Sequence, residues 1–261
     1  MIDIGANLTH SAFESDLPEV VARAREAGVA SVVVTGSAVD ESMAAIRVAE
    51  QFGFHATAGV HPHHARDCGP QTIPALRELA KHPRVVAIGE CGLDFNRNYS
   101  PHPDQEKWFV AQLELGLSLG KPLFLHSRDA HPRFYDILKH HKIRNAVAHC
   151  FTGEKEELHA YLELDLYVGI TGWICDERRG SHLVQLVRDI PRERLLLETD
   201  SPYLTPRDMK PQPKARRNEP AFLPHIARAV ARALGRPVEE VAAETSRNAR
   251  TLFRLRELAT Q

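Results

Sequence analysis

The 261-residue sequence predicts a single (β/α)8 barrel. Three observations carry that prediction. Short apolar, β-branched runs alternate with amphipathic stretches of helical period along the chain, and strands separated by helices are the mark of parallel βα units. The runs are continuously apolar, as strands buried on both faces are. Eight such units fill this chain, the number that a closed barrel of about 250 residues contains. One domain, residues 1–261, accommodates them all. An open doubly wound sheet is the competing architecture, but no glycine-rich phosphate turn follows the first run.

Each unit can be read in order. MIDIGANL is the first strand, followed by the helix SDLPEVVARAREAG, with Ser15 as its expected cap and Gly28 as its stop. ASVVVTG leads into DESMAAIRVAEQFG, and HATAGVHP into TIPALRELAKH. RVVAIGECGLD precedes the long helix PDQEKWFVAQLELGLSLG. KPLFLHSR is followed by PRFYDILKHH, NAVAHCF by KEELHAYLEL, and LYVGITG by SHLVQLVRDI. RLLLETD is the eighth strand, and the helices EPAFLPHIARAVARALG and VEEVAAETSRNARTLFRL finish the chain. The stretch TPRDMKPQPKARRNEP, residues 205–220, is rich in proline and positive charge and reads as a long loop after the eighth strand.

Composition narrows the function. The chain is 43% hydrophobic and 26% charged, ordinary globular material. Its net charge of -1 supplies no global basic field, so a nucleic-acid partner must be met by a local patch. The N-terminus lacks the positive and apolar regions of a signal peptide. No apolar run approaches the ~18 residues of a membrane span. The four cysteines (Cys68, Cys91, Cys150, Cys175) form no CxxC, which disfavours a zinc ribbon or disulfide framework. A cytoplasmic, reduced protein without a membrane role is expected. A barrel closes its own core, so a monomer is the default.

The polar residues at the strand ends carry the chemistry. A barrel builds its active site at the C-terminal face of its strands. The third apolar run ends in His61, the fourth in Glu90, the fifth in His126, the sixth in His149 and the eighth in Asp200. A carboxylate such as Glu90 is costly to bury without a cation or donors around it. Two imidazoles and two carboxylates converging in one mouth make a ligand set for a divalent cation, so Glu90, His126, His149 and Asp200 are read as metal ligands. Any one of them alone would pass for a structural residue or a helix cap; their shared end of the barrel argues otherwise. Asp200 is also the candidate base for an activated water, and His61 is placed against phosphate or water. Glu198 falls on the same face as Asp200 but deeper, as a paired structural carboxylate. Cys91 and Cys150 each follow a proposed ligand, so strand alternation turns them away from the metal. The other histidines of HPHH and KHHK are assigned to the surface.

Several motifs resemble one family. VVAIGECGLDF, HSRDAH, AHCFTG, GITGW and LLLETDSPYL, supported by DERRG and RRNEP, resemble the TatD family of metal-dependent deoxyribonucleases, within the amidohydrolase-like barrels. The match runs from MIDIGANLT to NARTLF. The resemblance implies a TIM barrel and a Mg²⁺-dependent 3′→5′ exonuclease preferring single-stranded DNA, and the sequence leaves the choice between DNA and RNA open. Carried over by motif, Glu90, His126, His149 and Asp200 hold the metal. The wider superfamily usually carries H-x-H on the first strand, where this chain has Gly5 and Asn7. One tight metal is therefore expected, with Asn7 facing substrate or a weakly held second ion. Two imidazoles suit Zn²⁺ or Mn²⁺ better than Mg²⁺, and the spacing leaves the metal open.

A phosphodiester substrate also needs cations and stacking surfaces. Arg97, Arg128, Arg178 and Arg179 follow strands four, five and seven. Arg207, Lys210, Lys214, Arg216 and Arg217 follow strand eight, with Trp173 and Tyr203 in the same loops. Of these, Arg128, Arg178, Arg179, Arg216 and Arg217 are the expected substrate contacts. The rival functions are a small-molecule amide or ester hydrolase, disfavoured by the missing H-x-H, and a non-catalytic binding protein, which would need none of the buried ligands.

Overall fold

The computed structural model describes residues 1–213 and 216–255. Eight strands form one parallel sheet in chain order: β1 (Ile2–Ala6), β2 (Ser31–Val34), β3 (His55–Ala58), β4 (Val85–Asp94), β5 (Leu123–Arg128), β6 (Ala146–Ala148), β7 (Tyr167–Ile170) and β8 (Leu195–Leu197). The barrel closes through a parallel bridge between Ala6 and Ser201. Two backbone hydrogen bonds flank it, Asn7 N to Ser201 O at 2.7 Å and Asp200 N to Gly5 O at 2.8 Å. The expected (β/α)8 barrel is the fold found.

Around the sheet run α1 (Leu17–Glu26), α2 (Val39–Phe52), α3 (Thr72–Leu79), α4 (His102–Leu119), α5 (His131–His140), α6 (Lys155–Glu163), α7 (Leu183–Leu186), α8 (Leu223–Leu234) and α9 (Val238–Phe253). The strands are buried on both faces because two separate cores need them. Outward residues such as Leu125, Val168 and Leu197 pack beneath the helices. Inward residues, among them Ile4, Val33, Ala87, Phe124, Val147 and Leu196, fill the barrel. Ala249, Leu252 and Phe253 of α9 join that inner core beside Ile2. α9 thus closes the barrel end opposite the strand C-termini. None of the helices among the described residues is long and apolar enough to cross a membrane.

Three local expectations change. α1 begins after Asp16, not Ser15, and Asp16 makes no cap bond; its carboxylate accepts from Arg217 and Arg23 instead. The seventh helix shrinks to the single turn α7 and a 3-10 turn, Val187–Asp189. It must fit between Gly180, packed on the Trp173 carbonyl, and Pro191. β4 runs four residues past Glu90 to Asp94, which brings a further carboxylate to the mouth.

Candidate active site

The site rests on where each strand stops. Glu90 lies within β4, its N–H bonded to Gly36 O at 2.9 Å. His126 is in β5, paired in register with Gly92. His149 follows β6 directly and donates its N–H to Leu125 O at 2.9 Å. His61 stands three residues past β3 and caps the 3-10 turn Pro62–Asp67, its Nδ1 accepting from His63 N at 3.1 Å. Asp200 follows β8 with φ 54° and accepts from Asn7 Nδ2 at 2.9 Å.

Three imidazoles converge on one oxygen. Glu90 Oε1 lies 2.8 Å from His149 Nε2, 3.0 Å from His126 Nδ1 and 3.3 Å from His61 Nε2. Burial alone would raise the Glu90 carboxyl, but the charge of His149 and the hydrogen bonds from His126 and His149 hold it well below the usual carboxylate range. His149 is sandwiched further: its Nδ1 lies 3.3 Å from Glu198 Oε2. Against the pull of burial, the two carboxylates drive this imidazole well above its ordinary value. His61, where burial wins, drops to about 4 and stays neutral. Burial also lifts the Asp200 carboxyl to about 7.

The donor set fits a cation. His126 Nε2 is buried without a hydrogen-bond partner, and a buried imidazole nitrogen left unpaired is costly. Ligand atoms of His61, Glu90 and His126 lie within 4.8 Å of one another. His61 therefore stands inside the potential ligand cluster, closer in than its expected place beside the substrate. Asp200 shares the cavity wall with the cluster and makes its bond to Asn7.

Two carboxylates set the imidazoles. Glu198 is fully buried and accepts from Cys150 N at 2.5 Å as well as facing His149. A side chain at Gly5 or Gly169 would collide with its carboxyl group. That explains the first-strand glycine: the room a histidine would need there is occupied by Glu198. Asp94 was missed in the sequence. Its Oδ2 accepts from His63 Nε2 at 2.7 Å and lies 3.7 Å from His126 Nε2, while Oδ1 accepts from Asn96 and Arg97 N–H. Although burial opposes it, the nearby His126 imidazole and the hydrogen bonds from His63 and from Arg97 N–H hold Asp94 far below the usual range. His63, assigned to the surface, is half-buried in this wall. The signal was present in the even spacing 90, 92, 94, which keeps one strand face if the strand continues.

The mouth opens into a cavity of about 660 Å³ lined by these residues and by Arg97, Arg128, Arg179, Trp173 and Tyr203. Arg179 lies over the Trp173 ring at 5.9 Å, and Tyr203 stands edge-on to His10 at 5.5 Å. Other expected contacts lie elsewhere. Arg217 pairs with Asp16 and Glu219, each at 2.7 Å, above Phe13. Arg178 pairs with Asp176 at 3.5 Å, and Arg216 is exposed and lines no part of the cavity. None of these three lines the cavity; Arg178 and Arg217 are held by acidic neighbours. Lys214 lies outside the described residues. Cys150 lines the cavity instead of turning away, since its φ of 46° breaks the strand alternation. Cys91 is fully buried.

A parallel barrel with histidines and carboxylates gathered at the C-terminal ends of its strands defines an amidohydrolase-like barrel hydrolase. The model of the TatD related DNase family matches residues 2–254, and the chain belongs to that family. It is 56% identical to a 3′-5′ ssDNA/RNA exonuclease TatD of Pantoea vagans over 98% of this chain and 100% of that protein. The corresponding exonuclease of Klebsiella pneumoniae is 55% identical, covering 97% of each. Among solved structures, a TatD homolog, YJJV, from Escherichia coli K12 superposes with a TM-score of 0.90 at 26% identity, covering 98% of each chain.

Proposed function

We propose that this chain is a metal-dependent 3′→5′ exonuclease acting on single-stranded DNA and RNA, with Mg²⁺ as its working ion. The observation that carries the reading is the convergence of three imidazole nitrogens on Glu90 Oε1 at the floor of an arginine-rimmed cavity. The names of relatives more than half identical along their whole length support it. Glu90, His126, His149 and Asp200 would hold the ion, with His61 beside them. A divalent cation bound there polarises a phosphoryl oxygen and acidifies water.

The chain's own groups supply the rest. Asn7 fixes one Asp200 oxygen at 2.9 Å, which orients the carboxylate toward the cavity as acceptor of the proton from the attacking water. Burial raises this carboxyl when no ion is bound, and a bound cation would keep it ionised and able to accept a proton. His61, neutral and with Nδ1 occupied by His63 N–H, presents a donor at Nε2. Glu198 accepts from His149 Nδ1, which leaves Nε2 as the nitrogen that would hold the ion. Arg97, Arg128 and Arg179 meet backbone phosphates, while Trp173 and the half-exposed Tyr203 give bases a flat surface. Flat stacking and backbone contacts tolerate any sequence and both sugars. With four free cysteines and net charge -1, the protein works as a cytoplasmic monomer with salt-sensitive, modest affinity.

The test uses single-stranded DNA and RNA labelled at the 5′ or the 3′ end, with Mg²⁺ and with EDTA. A 5′ label retained on a ladder of shortening products, abolished by EDTA, is expected. Intact nucleic acid with Mg²⁺, Mn²⁺ and Zn²⁺ alike would overturn the proposal and redirect the site to amides and esters.

A further inference from the structure

Outside the mouth, one other group of unlike donors converges among the described residues. Ligand atoms of Cys175, Asp208 and His225 lie within 4.8 Å of one another. They come from three separate places: Cys175 ends the 3-10 turn Gly172–Cys175 after β7, Asp208 sits in the proline-rich loop after β8, and His225 is in the first turn of α8. None of the three lines the mouth cavity.

We propose that Cys175, Asp208 and His225 form a second cation site, taking a borderline-soft divalent ion such as Zn²⁺ through one sulfur, one oxygen and one nitrogen. The donor types are the argument. Thiolate and imidazole select Zn²⁺ over Mg²⁺, which takes oxygen shells. His225 Nε2 lies 2.6 Å from Asp208 Oδ1, and Arg232 Nη2 is 3.5 Å from the other Asp208 oxygen. An Asp–His ion pair accounts for two of these residues, and Cys175, which packs in the outer core, brings a sulfur donor to the same point. Around a tetrahedral zinc, N and O ligands stand about 3.4 Å apart. Opening the Asp208–His225 pair from 2.6 Å by under about 1 Å therefore suffices. Asp208 is exposed at the rim, so water can reach the fourth position. As the ion arrives, the Cys175 thiol passes its proton to solvent and the sulfur binds as thiolate.

The place of the site gives it a consequence. Cys175 ends the turn that carries Trp173, and Asp208 follows Tyr203 and Leu204 within one loop. The Leu204 carbonyl is packed against Gly172, and Arg207 reaches Asp176 at 3.6 Å. An ion bridging Cys175, Asp208 and His225 ties this wall of the mouth cavity to α8, and it fixes where Trp173 and Tyr203 stand.

Cobalt titration of the metal-stripped full chain tests the proposal, because only a sulfur ligand gives thiolate-to-cobalt charge-transfer absorption in the near ultraviolet. The band should appear, persist in Cys150→Ser, vanish in Cys175→Ser, and be displaced by added Zn²⁺. His225→Ala, which leaves the thiol in place, should weaken the band's apparent affinity at least about tenfold. Should Cys175→Ser fold poorly, His225→Ala and Asp208→Asn carry the comparison. Absence of the band at saturating Co²⁺ would overturn the site, as would a band lost only in Cys150→Ser or unchanged affinity in His225→Ala. Cleavage of DNA enters none of these readouts, so the result stands apart from the nuclease reading.

Discussion

Glu198→Gln is the substitution that best isolates how the barrel interior prepares the mouth. The glutamine is isosteric, and Gly5 and Gly169 leave room for that side chain alone. Cys150 N–H, 2.5 Å from Oε1, needs an acceptor, so the amide oxygen of Gln must stay there. The amide NH₂ then faces His149 Nδ1, where Glu198 Oε2 stood at 3.3 Å. Two donors cannot face each other. The imidazole must offer its Nδ1 lone pair and carry its proton on Nε2, the atom 2.8 Å from Glu90 Oε1. A protonated Nε2 cannot ligate. Loss of a partner that orients a metal-binding histidine costs about 10–100-fold in metal affinity, or about 1.4–2.8 kcal/mol. Cleavage of single-stranded DNA measured across Mg²⁺ concentrations should shift to higher metal by that factor, with the maximal rate partly recovered. The melting temperature should fall only a few degrees, because the hydrogen-bond count is kept. An unchanged metal dependence would show that Glu198 does not set the His149 tautomer.

Three further outcomes follow from the structure. Arg217→Ala removes ion pairs to Asp16 and Glu219 at 2.7 Å; it should destabilise the fold by about 2 kcal/mol, seen as a lower urea midpoint, while KM for DNA stays the same. Arg128→Ala, at the cavity rim, should leave stability unchanged, weaken DNA binding, and reduce the slope of log K against log salt by about 0.7, the share of one single-strand phosphate. Asp3, fully buried beneath Thr199, is pushed by burial from 3.8 up to about 7. The unfolded chain releases that proton first, so this carboxyl lowers stability as pH rises from about 4 to about 7. Unfolding free energies over that range should slope more steeply upward with pH in Asp3→Asn than in the wild type.

The barrel was legible because its cause is local. Apolar runs of strand length recur between helical periods, and a run such as RLLLETD can be buried on both faces only in a parallel sheet. The gathering of His61, Glu90, His126, His149 and Asp200 in one mouth followed from that topology, since all lie at the same ends of their strands. What escaped depended on contacts between distant residues. Whether β4 stopped at Glu90 or reached Asp94 turned on pairing with β5, in which Asp94 faces Arg128. Arg217 and Arg179 look alike in sequence. Asp16 and Glu219 hold one away from the cavity, and Trp173 holds the other at its wall. Cys150 was misplaced by a backbone angle that alternation does not foresee. The first-strand glycine looked like a missing ligand until Glu198 was found filling its space.

In the proposed function one cluster both holds the ion and cuts the strand. Mn²⁺ binding and 3′-end cleavage, measured on the same preparations of wild-type and Glu90→Ala protein, test that directly. Removing the oxygen on which three imidazoles converge should abolish tight Mn²⁺ binding and cleavage together, with the circular dichroism spectrum retained. Cleavage that survives in Glu90→Ala at wild-type rates would place the catalytic centre elsewhere.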